Sequence, residues 1–331
     1  MPLFALLLIV LCWPARADLL PSLTTEAAQQ QWRALLHLQG QRRQIDDPTF
    51  LLSLPDFSPQ RELQATLDLL RANPVAICRF PARYRFLREQ GFELPDSPSC
   101  RGFEIFLTKA PVDDVSLIYA SENISSPTSM MGHAMLAIQG LRDDGKVAEH
   151  AVTFLTEIDT YNPFRLFYDT ILTGKEGFFL VQPLSAYYRF YLIREQRPVW
   201  RYHLRLSAEQ KALLQAHIWE LKQAHILYLF DTHNCATMAL DLLALAYPDI
   251  NQNIGWVSPL DVARLVEERQ LVTDREVMLS ARWTTRMLAD QLGDEGVTAV
   301  QQMLAAESVD ASLGLGEQGF LQRQLARSFR D

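Results

Sequence analysis

Most signatures from which a function can be read directly are missing from this chain. There is no Gly-x-Ser-x-Gly elbow, no glycine-rich phosphate loop and no His-Glu-x-x-His pair. Those absences remove serine α/β-hydrolases, nucleotide-binding P-loops and zincins. Glycine and proline are not enriched, and no repeat or low-complexity block occurs, which excludes fibrous and solenoid architectures. Positive charge is in deficit: 31 Lys and Arg face 39 Asp and Glu, a net charge of −8. A nucleic-acid partner is therefore not expected, because such binding rests on clustered cations. Beyond the first residues no apolar run approaches the roughly 20 residues of a membrane span. The nearest, from Met238 to Tyr247, is short and interrupted by Asp241. Cysteine is scarce as well, with four in 331 residues.

What is present begins at the N-terminus. An apolar run from Leu3 to Trp13 precedes Ala15-Arg16-Ala17, the small-x-small pattern cut by signal peptidase. The predicted mature chain starts at Asp18, exported into a periplasmic space. With hydrophobic residues at 48%, that chain can build a real core. Removing residues 1–17 removes Cys12 and leaves Cys78, Cys100 and Cys235. Cys78 and Cys100 bracket a compact segment containing Pro81, Gly91, Pro95 and Pro98, so a local disulfide is expected between them in an oxidising compartment. Cys235 is left over, either inert in the core or reactive and used.

The chain divides by texture. Residues 18–108 read as a helical N-terminal segment, with Trp32, Leu35 and Leu36, and again Leu63, Leu67 and Leu70, at helical spacing. From 109 to 250 the texture is mixed. Strands are expected at 115–120, 133–138 and 150–155, the last two joined by the turn Arg142-Asp-Asp-Gly145 into an antiparallel hairpin. An aromatic concentration runs from Tyr161 to Tyr191, either core filling or the lining of an apolar groove. Ser207 with Gln210 forms a capping box that opens a helix. A further helix starts at Cys235 behind the cap candidates Asp231 to Asn234 and stops before Pro248. Residues 251–331 read as a helical C-terminal region with a polar tail.

The sharpest feature is Cys235 in the first turn of its helix. Free amides and the positive dipole end there favour thiolate, the form that attacks carbonyls. A thiol nucleophile also needs a base, and histidine is matched to neutral pH. His133, opening a buried strand after Gly132, is the first candidate. His150 on the next strand could orient it or serve as a second base, and His233 is expected at the rim. Asn234 is first a helix cap and then a possible oxyanion donor. Ser129 is expected to be a loop hydrogen-bonder. A metal site from His225, His233 and Cys235 would need a second paired cluster, and no cofactor is expected.

Ser129-Met-Met-Gly-His133, Asn162-Pro163 and Tyr228-Leu-Phe-Asp-Thr-His-Asn-Cys235 resemble the DUF4105 family, named for the N-terminal periplasmic domain of the lipoprotein N-acyltransferase Lnb. Cys78-Arg-Phe-Pro-Ala-Arg-Tyr84 and Cys100 resemble that family's N-terminal segment. The order of a strand histidine followed by Asn-Cys at a helix start is similar to the circularly permuted NlpC/P60 thiol enzymes. The resemblance implies an α+β fold with a permuted papain-like core, in which a small antiparallel sheet carries the histidine. It also implies Cys235 as nucleophile and His133 as base, with His150 as the third residue and Thr153 its competitor. The expected chemistry is acyl transfer or hydrolysis through a Cys235 thioester on envelope lipid or lipoprotein. The alternatives are a cell-wall peptide amidase and a non-enzymatic envelope binding module.

Overall fold

The computed structural model describes residues 21–123, 131–157, 159, 160, 162, 164, 165, 168–250, 255–305 and 325. The predicted leader at 1–17 and Ser129 lie outside them. Helix α1 (Glu26–Leu35) starts at Thr25, whose hydroxyl accepts the Ala28 amide, and α2 (Pro59–Ala72) starts at Ser58 with Pro59 in its first turn. Between them lies a minimal hairpin of β1 (Leu38–Gln39) and β2 (Arg42–Arg43). Helices α3 (Pro81–Glu89) and α4 (Arg101–Lys109) follow, linked by the Cys78–Cys100 disulfide.

A seven-stranded sheet then organises the rest. Its strands are β3 (Asp114–Ala120), β4 (His133–Leu141), β5 (Val147–Thr156), β6 (Lys175–Pro183), β7 (Val199–Leu204), β8 (Ile226–Tyr228) and β9 (Val272–Met278), in spatial order β8-β6-β5-β4-β3-β7-β9. Every pairing is antiparallel. The sheet exceeds the small one expected. It also takes a strand, β9, from the C-terminal stretch read as helical, since polar Val272-Thr-Asp-Arg-Glu-Val-Met has the composition of a solvated edge rather than of a core strand.

Both faces of the central strands are covered, so Ala134 to Ile138 reads as an unbroken buried run. One face presents Leu117, Tyr119, Ala134, Leu136, Val152 and Phe154 to the main core, where α6 (Ala208–Leu221), α7 (Cys235–Ala244) and α8 (Pro259–Glu268) pack. The other presents Ile118, Ala120, Met135, Ala137 and Ala151 to Leu184 and Tyr191. Leu184 begins the short α5 (Leu184–Tyr188), which runs into a π-helical turn at Arg189–Arg194. The last helix, α9 (Ala281–Ala305), is broken at Gly293.

Fully buried charges tie the N-terminal helices to this core. Arg83 donates to Glu62 at 3.0 Å and lies 3.8 Å from Glu220 of α6. His37 meets His217 at 2.8 Å and Asp241 of α7 at 3.4 Å.

Candidate active site

Cys235 is the first residue of α7. Its helix begins there because Asn234 closes it: the Asn234 Oδ1 accepts the amides of Ala236 and Thr237 at 2.8 and 3.0 Å. The Thr237 hydroxyl in turn accepts the Asn234 amide at 2.8 Å, completing a capping box. Asn234 Nδ2 donates to the Phe230 carbonyl, which pins the preceding loop. Among the described residues Cys235 is the one free cysteine, and it is 8% exposed.

The thiol lies against the start of β4. Backbone amides of Ala134, Ala236 and Cys235 itself point at the sulfur, and Ala134 is the residue after His133. Gly132, just before β4, allows the chain to pass close to the end of β3. It sits at φ +85, and a Cβ there would meet the Ala120 carbonyl oxygen at 2.9 Å and the Tyr119 ring at 3.0 Å. The His133 ring lies 2.8 Å, through Nε2, from the Thr153 hydroxyl of β5, and packs near Tyr191 at 6.3 Å between centroids. Thr153 lies two residues from Ala151, which pairs with Ala137, so it shares the sheet face of His133.

Of the two residues expected to compete for the third position, Thr153 is the one at the His133 ring, and His150 is not brought to it. That residue pairs with Ile138 near the far end of β4, and its odd spacing from Thr153 turns it to the opposite face. Its Nδ1 is buried without a hydrogen-bond partner. His233 is half-buried, held 3.0 Å from the Thr232 hydroxyl.

Sequence reasoning missed Arg197. Gln196 at φ +53 reverses the chain, and Arg197 enters the fold 2% exposed. Its Nη2 donates to the Ala120 carbonyl at 3.0 Å, the residue paired with His133, and its Nη1 donates to Glu195. The guanidinium stacks 4.9 Å over Tyr191, and its Nε has no partner among the described residues. No local pattern marks it, because the contacts are made across the sheet and not along the chain.

The electrostatics depart from the thiolate expected at a helix start. Burial pushes the Cys235 thiol above the ordinary thiol range, against the opposing pull of the three amides and the Arg197 cation. Burial, aided by the same cation, pushes the His133 imidazole down to about 4. Burial thus works against the charged form of both side chains. Among the described residues no group of three or more His, Cys, Asp or Glu is placed to hold a metal, and no helix is long and apolar enough to cross a membrane.

These features define an α+β protein with a buried, capped thiol set against the start of the strand that His133 opens. The chain belongs to the Lnb N-terminal periplasmic domain family, which matches residues 103–269. Residues 25–90 match DUF7843, a domain of unknown function. Neither the comparison with curated proteins nor that with solved structures gives a match. A family of periplasmic domains and a disulfide both point to a location outside the cytoplasm.

Proposed function

We propose that this protein is a thiol-dependent acyltransferase or hydrolase with a permuted papain-like core, working through a thioester on Cys235. The observation that carries this reading is the seat of the thiol. Cys235 opens a capped helix, its sulfur meets the amide next to His133, and His133 is braced by Thr153. His133 takes the thiol proton as the sulfur attacks and returns it to the leaving group. The negative charge that develops on sulfur and on the acyl oxygen is met by the amides at the helix start and by Arg197. An apolar acyl donor from lipid or lipoprotein is supported by Phe164, Tyr168, Leu172, Phe190 and Ile193, all exposed. The described aromatics of the stretch thus divide, with Phe179 and Tyr191 buried, Tyr187 and Tyr188 packed against the second core cluster, and Phe164, Tyr168, Phe178 and Phe190 exposed.

The buried, raised thiol is the observation that favours the second reading, a binding module that has kept the fold without the chemistry. Incubation with p-nitrophenyl octanoate separates the two. The acyl reading expects a mass adduct mapped to Cys235, absent in Cys235→Ala and slowed about 10²- to 10⁴-fold in His133→Ala. No adduct, or one indifferent to His133, leaves the binding module.

A further inference from the structure

An open groove of 840 Å³ lies between the β1–β2 hairpin and the outer strand β8, away from the sheet face that holds His133. Leu38, Phe57 and Leu227 form its apolar wall, while Gln44, Arg42 and His233 supply polar groups. Gln44 is the telling residue. It is 5% exposed, yet both its amide nitrogen and its amide oxygen are buried without a partner among the described residues. Buried amides normally find partners, and this one lines a cavity.

A carboxamide offers a donor and an acceptor side by side, so its complement carries an acceptor and a donor in the same arrangement. A peptide group does. A carboxylate offers acceptors only and would leave the Gln44 oxygen unmatched. Charge points the same way. Arg42 and Arg43 are opposed in the groove by Asp46 and Glu176, with Arg43 already tied to Asp46 at 3.0 Å, so the walls suit a ligand with little net charge. Along one side runs β8, an edge strand paired only with β6, whose Ile226 and Leu227 line the cavity. An edge strand beside an apolar wall is the arrangement by which extended peptides are added to sheets.

We infer that this groove binds an extended peptide, read through its main chain by Gln44 and by the free edge of β8. Arg42, which makes no ion pair among the described residues, caps a peptide carbonyl at the open side. The site joins the DUF7843 region, through Gln44 and Arg42, to the family domain, through β8. It stands apart from any reaction at Cys235.

The test uses the full chain carrying Cys235→Ala, so that binding is read without thiol chemistry. The side-chain amide signal of Gln44, assigned by its loss in Gln44→Met, is followed by NMR during titration with N-acetyl-trialanine amide. A depsipeptide in which an ester replaces the central amide, and inorganic phosphate, serve as the other probes. A saturable shift with the peptide is expected, with about tenfold weaker binding of the depsipeptide for the lost hydrogen bond. Exposed Arg42→Ala, which leaves the fold alone, is expected to weaken the peptide several-fold. A Gln44 signal that the peptide does not move, or that phosphate moves equally, overturns the inference.

Discussion

Replacing Asn234 with alanine removes both ends of the clamp that places Cys235. The amides of Ala236 and Thr237, which are 0% and 4% exposed, lose their acceptor, and the Phe230 carbonyl loses its donor. Loss of an N-cap costs about 0.5–2 kcal/mol, and the lost bond to Phe230 about 1 kcal/mol more. The sum, about 1.5–3 kcal/mol, lowers Tm by about 2–4 °C in a chain of this size. Asn234→Asp behaves differently. It keeps the acceptors and adds a charge that the helix start favours by about 0.3–1 kcal/mol, but loses the donor to the Phe230 carbonyl, about 1 kcal/mol, so the net loss is smaller than in the alanine variant. It also sets a carboxylate beside the sulfur, which disfavours thiolate and slows alkylation of Cys235. Urea unfolding at fixed pH gives the first quantity and iodoacetamide labelling the second. An alanine variant losing less than about 0.5 kcal/mol, or an aspartate variant as damaged as the alanine one, would refute the account of the cap.

Three further outcomes follow from the same contacts. Labelling of Cys235 by iodoacetamide should be slow at pH 7 and rise only above the ordinary thiol range, because burial outweighs the helix start; fast labelling near neutrality would contradict this. Arg197→Gln removes a cation that disfavours imidazolium, so His133 should titrate above about 4, a change that NMR of the ring protons detects. His217 is also held at about 4, by burial, against 6.5 when unfolded. The unfolded chain therefore binds this proton first, and stability, undiminished above pH 6.5, should fall by about 3 kcal/mol as pH drops toward 4. Urea midpoints across that window check the sign, and His217→Gln should remove its own share of the slope while leaving that of His133, which is held down in the same way.

The parts of the fold that were legible in the sequence are those whose causes are local. The capping box at Ser207 and Gln210, the turn after Arg142, and the strands opening near Asp114 and His133 each follow from neighbours in the chain. The Cys78–Cys100 pair could be read from two cysteines around a short proline-bearing segment. Strands β6 and β7 were not legible, because aromatic runs such as Phe178-Phe179-Leu180 suit a core helix as well as a strand. The thiol and its histidine could be singled out by residue type, but their partners could not. Thr153 was separated from His150 only by strand register, and Arg197 only by a chain reversal at Gln196. The burial of the thiol was not legible for a related reason. A helix start is visible in sequence, whereas the burial that overrides its field is a property of the assembled sheet and helices.

The two matched segments are held together by charges that neither could bury alone. Arg83 is fully buried between Glu62 of α2 and Glu220 of α6, and both carboxylates are committed elsewhere too. Glu62 accepts the amides of Leu52 and Ser53, and Glu220 those of Ala82 and Arg83. Arg83→Met keeps much of the volume but leaves two buried carboxylates facing one another. Breaking a buried pair in this way costs about 3–5 kcal/mol, more than loss of the Asn234 cap. Adding Glu62→Gln relieves the repulsion and should recover part of that loss, whereas Glu62→Gln alone strands Arg83 and should be costly. Both variants should unfold in a single urea transition, because His37 and Gln39 also reach Asp241 in the Cys235 helix. A loss below about 1 kcal/mol in Arg83→Met would show that the arginine is not what binds the DUF7843 region to the thiol-bearing core.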